Sequence, residues 1–287
     1  MISRRAMLAA PAAAMAAAPT RFTLAGMTLA WSAFSFARAL EGIRAAGFAE
    51  VAWGVNHESG PLLRPEEPAG RAAELARECR DAGLKPVMMF STVNLEAEGA
   101  GAGHRRRLAQ AEAAGIRFLL TFGKTAGGQR ERFVANLKEL GPEAADRGVV
   151  VVIKQHGGNT GTGQLCARIL EEVGHPAVRL CYDAGNVLDY ENADPIADIA
   201  TCAGYIEAFN IKDHRNSPKD EDCGPGFGEI DHYKLLSAVL HTGRTIPLTF
   251  ENIFAPLVAR PREAAEVDRL AARARDYIDT VIRGLQT

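Results

Sequence analysis

Four polar residues each stand at the end of an apolar run, and their types together could move protons or hold a cation. Lys154 follows "VVVVI", Asp183 ends "VRLCYD", Asn210 lies in "YIEAFNIK" and Glu251 ends "PLTFE". Two carboxylates brought close repel and raise one another's pKa, so a positive charge between them is expected. A lysine in an apolar interior is equally costly without a partner. Lys154 could be that charge, or a metal could be. His156, on the parity of Lys154, adds a group that titrates near working pH.

These side chains can meet only if separate strands deliver them to one place. The strand candidates are "FTLAGMTL", "EVAWGV", "KPVMMF", "RFLLTF", "VVVVIK", "VRLCYD", "YIEAFNIK" and "PLTFE", separated by amphipathic helix patterns. Several of these helices stop at a glycine just before the next strand (Gly47, Gly83, Gly115 and Gly148). Eight such βα alternations in about 260 residues predict an α/β fold, a single-domain (β/α)8 TIM barrel over 21–287. Chemistry in that fold sits at the C-terminal strand ends, and strand residues alternate inward and outward. The alternation puts Asp183 with Cys181, Asn210 with Ala208 and Lys212, and Glu251 with Thr249. A doubly wound sheet is the rival, but no Gly-rich phosphate fingerprint follows the first strand. "FGKTAGG" has its lysine ahead of its glycines, the wrong order for a P-loop. Trp53 and His57, after the second strand, are candidates for a sugar-stacking face. Lys212 and Asp213 read as a local pair, and His214 as a loop residue.

The 287 residues are 47% hydrophobic and 24% charged, with net charge -2. No basic stripe argues for nucleic acid, and no mature apolar run approaches the roughly 20 residues of a membrane span. The first 20 residues differ: Ser3, Arg4 and Arg5 precede an Ala-rich run from Met7 to Ala18. That layout predicts a bacterial export signal of twin-arginine type, cut near Ala17, and a periplasmic protein. Five cysteines without CxxC or paired spacing are expected to be buried free thiols.

At "VRLCYDAGN", "FNIKD", "GPGFGEID" and "PLTFEN" the chain resembles the xylose isomerase-like TIM-barrel superfamily, the sugar phosphate isomerase/epimerase group. The resemblance runs from about Phe22 to Gly284. In that family a Glu, an Asp, a His and a Glu from strands five to eight hold one divalent metal, and the two glutamates move a proton beside a sugar carbonyl. Asp183 and Glu251 match two of these positions. Lys154 replaces the first Glu, Asn210 replaces the His, and Asn186 replaces a substrate-contacting His three residues after the Asp. "IKQHGGN" is similar to a branch with Lys-x-His-Gly at this strand end.

The resemblance implies a sugar isomerase or epimerase that abstracts a proton next to the carbonyl of a small sugar or keto-sugar. Glu251 is then the general base and His156 a second acid/base. Lys154 or a metal stabilises the enolate, and Asn186 and Asn210 lie at substrate-binding positions. Asp183, Glu251 and Asn210 could hold Mn, Mg, Co or Zn; alternatively Lys154 takes the metal's place and the site is metal-free. One retained glutamate keeps open a lyase or hydrolase on oxidised (3-keto) glycosides, and also a non-catalytic sugar-binding barrel. A relative that cuts abasic DNA would need more His and carboxylate ligands than the strand ends of this chain supply.

Overall fold

The computed structural model describes residues 18–58, 60–124 and 126–286. Eight parallel strands close a barrel: β1 (Arg21–Met27), β2 (Glu50–Trp53), β3 (Lys85–Phe90), β4 (Phe118–Thr121), β5 (Val150–Lys154), β6 (Val178–Asp183), β7 (Ile206–Ile211) and β8 (Thr245–Phe250). Each pairs with its neighbours in sequence, and β1 pairs with β8 to close the ring. All eight predicted runs are therefore barrel strands. The register sets Lys154 beside Cys181, Asp183 beside Asn210 and Asn210 beside Thr249, so the polar strand ends lie at similar height.

The alternation divides the apolar residues into two cores. Ala25, Met27, Ala52, Met88, Leu120, Val152, Cys181 and Ala208 fill the barrel interior. Leu180, Tyr182, Phe209 and Ile211 point outward into the larger core beneath the helices. Those helices are α1 (Phe36–Ala45), α2 (Ala69–Asp81), α3 (Ala100–Ala114), α4 (Arg130–Asp146), α5 (Gly163–Val173), α6 (Ala184–Glu191), α7 (Pro195–Ile199), α8 (His232–Ser237) and α9 (Ala264–Leu285). Ser35 and Thr162 accept backbone N–H bonds at the starts of α1 and α5. The glycines expected to stop helices do so in the left-handed region, with φ of 87° at Gly47, 76° at Gly83, 71° at Gly115 and 66° at Gly148.

Two short ribbons stand at the C-terminal end, Asn56–His57 with Gly60–Pro61 and Asp213–Arg215 with Glu221–Cys223. All five cysteines are buried and free. No helix among the described residues is long and apolar enough to cross a membrane. Residues 1–17 of the export-signal expectation lie outside the described residues. The fold already holds Ala18 and Thr20: Gly243 N donates to Ala18 O (2.8 Å) and Thr20 N to Leu240 O (2.7 Å).

Candidate active site

The four polar strand ends converge. Lys154 Nζ donates to Asp183 Oδ2 at 2.8 Å and to Glu251 Oε2 at 2.7 Å. Asn210 Nδ2 donates to the same Glu251 oxygen at 2.5 Å. The Thr249 hydroxyl lies 2.7 Å from Asn210 Oδ1, which turns the amide so that its NH2 faces Glu251. Exposure ranks the members: the side chains of Asp183 and Lys154 are 0% and 2% exposed, while Glu251 keeps 17%. Glu251 is therefore the carboxylate that an incoming molecule can reach.

A second cation lies close by. Lys212 follows β7, is buried, and donates to Asp222 Oδ2 at 2.5 Å. Its stem runs past Gly185, where an added Cβ would come within 2.6 Å of Lys212 Cε; the glycine of "DAGN" is what lets the lysine pass. The expected Lys212–Asp213 pair does not form. Asp213 instead accepts from Gly226 N and Ile230 N (both 3.0 Å) and so folds the "GPGFGEID" loop.

The charges shift one another in opposite directions. Burial alone would lower the Lys154 pKa, but Asp183 and Glu251 outweigh it and hold the ammonium above its ordinary value. A lysine so held is a poor Schiff-base nucleophile. Burial pushes Asp183 up, opposed by Lys154 and Lys212. Burial would raise Glu251 as well, yet Lys154 and Lys212 together bring it down to about 2. His156 is lowered to about 4, by burial first and then by the Lys154 charge. Its ring stacks on Phe122, with centroids 4.1 Å apart and planes 14° apart.

Other expectations change with the geometry. Trp53 is 2% exposed and packs outward under the helices, its Nε1 3.3 Å from Cys79 Sγ, so it offers no face to a sugar. His57 is buried, with Nδ1 3.0 Å from Phe34 O and its ring edge-on to Phe36. Asn186 is buried in the first turn of α6 and donates Nδ2 to Gln155 O at 2.6 Å, which ties the end of β5 to the start of α6. Asp183 serves twice, since its Oδ1 also accepts from Asn186 N at 3.0 Å and caps α6. Gln155, which the sequence reading passed over, receives Asp183 N on its Oε1 at 2.9 Å and sets the height of the carboxylate. A polar side chain directly after Lys154, where so apolar a strand ends, was the available signal.

The donor set between Asp183 and Glu251 does not fit a divalent ion. The Lys154 ammonium occupies the position that bridges both carboxylates, and the Asn210 oxygen already faces the Thr249 hydroxyl. Metal-ligand types do gather elsewhere at this end: Asp189 of α6 lies beside His214 and Asp222 of the ribbon, with ligand atoms within 4.8 Å of one another. His214, expected in a loop, lies in the Asp213–Arg215 ribbon strand and is buried, Nδ1 3.1 Å from Asp222 Oδ1.

Cavities open at both ends of the barrel. One of about 180 Å³ lies over Glu251 and Lys212, with Asn252 and Arg260 on its wall. Another, of about 340 Å³, opens over the ends of β3 and β4 and reaches His156. A cavity of about 550 Å³ lies at the opposite end among Arg21, Lys85, Arg117 and Arg244, remote from the converging strand ends. At "FGKTAGG" the buried Glu96 accepts from Lys124 N at 3.0 Å and, just beyond the segment, from Gln129 N at 2.7 Å, so these two amides already have a carboxylate partner.

Solved structures share this fold at low identity. A D-allulose 3-epimerase from Methylomonas sp., in complex with D-allulose, superposes with a TM-score of 0.68 at 21% identity, covering 92% of this chain and 99% of that one. A xylose isomerase-like TIM barrel protein from Mycobacterium smegmatis, in complex with magnesium, gives 0.71 at 17% identity, covering 92% and 98%. A xylose isomerase-like TIM barrel/4-hydroxyphenylpyruvate dioxygenase fusion protein gives 0.70 at 20% identity; 90% of this chain covers 42% of that longer one. No curated protein sequence matches the chain. The family model described as xylose isomerase-like TIM barrel matches residues 40–274, and the chain belongs to that family.

Proposed function

We propose that the protein acts on a sugar or keto-sugar by removing a proton from the carbon beside a carbonyl, with Lys154 as its fixed cation. The observation that carries this is the Lys154 ammonium, 2.8 Å from Asp183 and 2.7 Å from Glu251. Glu251 is ionised, partly exposed, and fixed on one oxygen by Lys154 and Asn210, so it is the base. An ammonium has three donors, two of which go to the carboxylates, leaving one for a substrate oxygen. As charge develops on that oxygen the ammonium is shared, its hold on Glu251 weakens, and the base strengthens when it is needed. His156, neutral near pH 7 with its pKa lowered to about 4, can accept or relay a second proton. D-allulose binding by a protein of the same fold supports the substrate class. Export by a twin-arginine signal is part of the same proposal, and it favours a free sugar or glycoside.

A second reading is favoured by the single reachable carboxylate. On a 3-keto glycoside, one base that takes the proton from C2 lets the group on C1 leave, without a second carboxylate on the far face. A non-catalytic barrel would bind the sugar and exchange nothing.

The test is proton NMR in D2O with D-allulose, D-fructose and a 3-keto glucoside. Deuterium should enter beside the carbonyl at a rate that EDTA leaves unchanged and that Glu251→Gln lowers at least about 100-fold. Sugar binding by the wild type with no exchange in any substrate would refute the catalytic reading.

A further inference from the structure

The end of the barrel remote from the converging strand ends is hollow, and its charges take no part in the chemistry proposed above. Barrels of this kind fill their interior with layers of bulky branched side chains. Two residues before Ala25, Ala52 and Thr249, the alternation of β1, β2 and β8 places Thr23, Glu50 and Pro247 in the layer at this end. These three strands bring no branched apolar side chain there, and the cavity of about 550 Å³ opens among them, walled toward the barrel interior by Val87 and Phe118. Its volume lies within the range of about 300–1,000 Å³ typical of pockets for small organic ligands.

Charge around the hollow does not balance. Arg21, Lys85, Arg117 and Arg244 line it against only two carboxylates, Glu50 and Glu207, on a chain whose net charge is -2. Glu207 is divided between Arg244 at 3.2 Å and Arg117 at 4.0 Å, and Glu50 meets Lys85 at 3.6 Å, which leaves no carboxylate of the lining for Arg21. The carboxylates are withdrawn, with side chains 14% and 15% exposed, whereas Lys85 and Arg117 keep 74% and 64%. A belt that served stability alone would match its charges and fill the space between them. The cations also stand in two pairs. Arg21 opens β1 and Arg244 precedes its partner strand β8, with Arg21 N donating to Arg244 O at 2.9 Å; Lys85 opens β3 and Arg117 precedes its partner strand β4.

We infer that the hollow is a binding site for a small organic anion with two or more carboxylate or phosphate groups on a carbon skeleton. Each cation pair takes one oxyanion, and the skeleton lies against Val87, Phe118 and Pro247. Guanidinium groups match the two-oxygen edge of either oxyanion, and three of the four cations are arginines. The inference is independent of the chemistry at the mouth of the barrel.

The experiment is calorimetric titration of the full chain with citrate, fructose 1,6-bisphosphate, inorganic phosphate and acetate, in about 0.15 M NaCl to screen loosely held surface charge. Citrate or the bisphosphate should bind one per chain, at least about tenfold tighter than phosphate and acetate. Arg21→Gln and Arg117→Gln, one from each cation pair, should each weaken that binding at least about tenfold. Thr245→Trp, which fills the hollow from an exposed lining position, should abolish it, and keeps the test open if an arginine variant fails to fold. A lowered Tm with unchanged binding in the arginine variants marks these cations as structural and overturns the site. Equal affinity for all four probes overturns it as well, as does no binding of any probe up to about 10 mM.

Discussion

Replacing Lys154 by methionine tests the central arrangement most directly. Methionine fills nearly the same volume but leaves two carboxylates facing each other, one 0% and one 17% exposed. Removing one partner of a buried ion pair costs about 3–5 kcal/mol, chiefly because the remaining charge is stranded. For a chain of this size each kcal/mol shifts Tm by roughly 2–4 °C, so the expected loss is about 6–20 °C near pH 7.5. The sign of the pH dependence follows from the carboxylates. With the ammonium present, Glu251 is held at about 2, so its contribution is in place above its unfolded value and is lost only as pH falls toward 2. Without it, burial and mutual repulsion carry both carboxylates above their unfolded pKa values. Their cost is then full at high pH and shrinks as pH falls and they protonate. Differential scanning fluorimetry from pH 8 to pH 5 should therefore show the Tm gap to wild type narrowing, and Lys154→Met/Glu251→Gln should recover part of the loss at pH 7.5. A gap below about 3 °C that does not vary with pH would mean that Lys154 is not the compensating charge.

Two further outcomes separate this site from its relatives. Lys154→Glu/Asn210→His places family-type ligands beside Asp183 and Glu251; Mn2+ at about 100 times its dissociation constant should then stabilise the variant by about 2.7 kcal/mol, an effect that Asp183→Ala removes. An equal Mn2+-dependent Tm shift in wild type would place the ion elsewhere, the Asp189–His214–Asp222 group being the first to mutate. Trp53→Phe should cost about 1–3 kcal/mol through lost packing and the lost contact to Cys79, while leaving the sugar KM unchanged; a raised KM would return Trp53 to the substrate site.

Much of the barrel was legible from residue order alone. From Cys181 and Ala208 onward β6 and β7 alternate, so the face of Asp183 and Asn210 follows by parity, although the register shifts just before them and Ile206 joins Phe209 in the outer core; glycines mark four helix ends at the expected places. Strand parity also brought Lys154, Asp183, Asn210 and Glu251 to one mouth, because a closed parallel barrel leaves their side chains no other common direction. What parity cannot decide is which partner each side chain takes once several are within reach. Lys212 chose Asp222, 10 residues away on a ribbon strand, over its neighbour Asp213 because Asp213 was needed by the backbone amides of the 226–230 loop. Trp53 and His57 sit near the mouth in sequence but turn into the helix layer, where ring burial outweighs any exposed stacking role. Sequence by itself determined the barrel and the residues that reach its mouth. The tertiary structure alone decided that an ammonium bridges the two carboxylates, because that choice is set by distances of 2.8 and 2.7 Å between strands 29 and 97 residues apart.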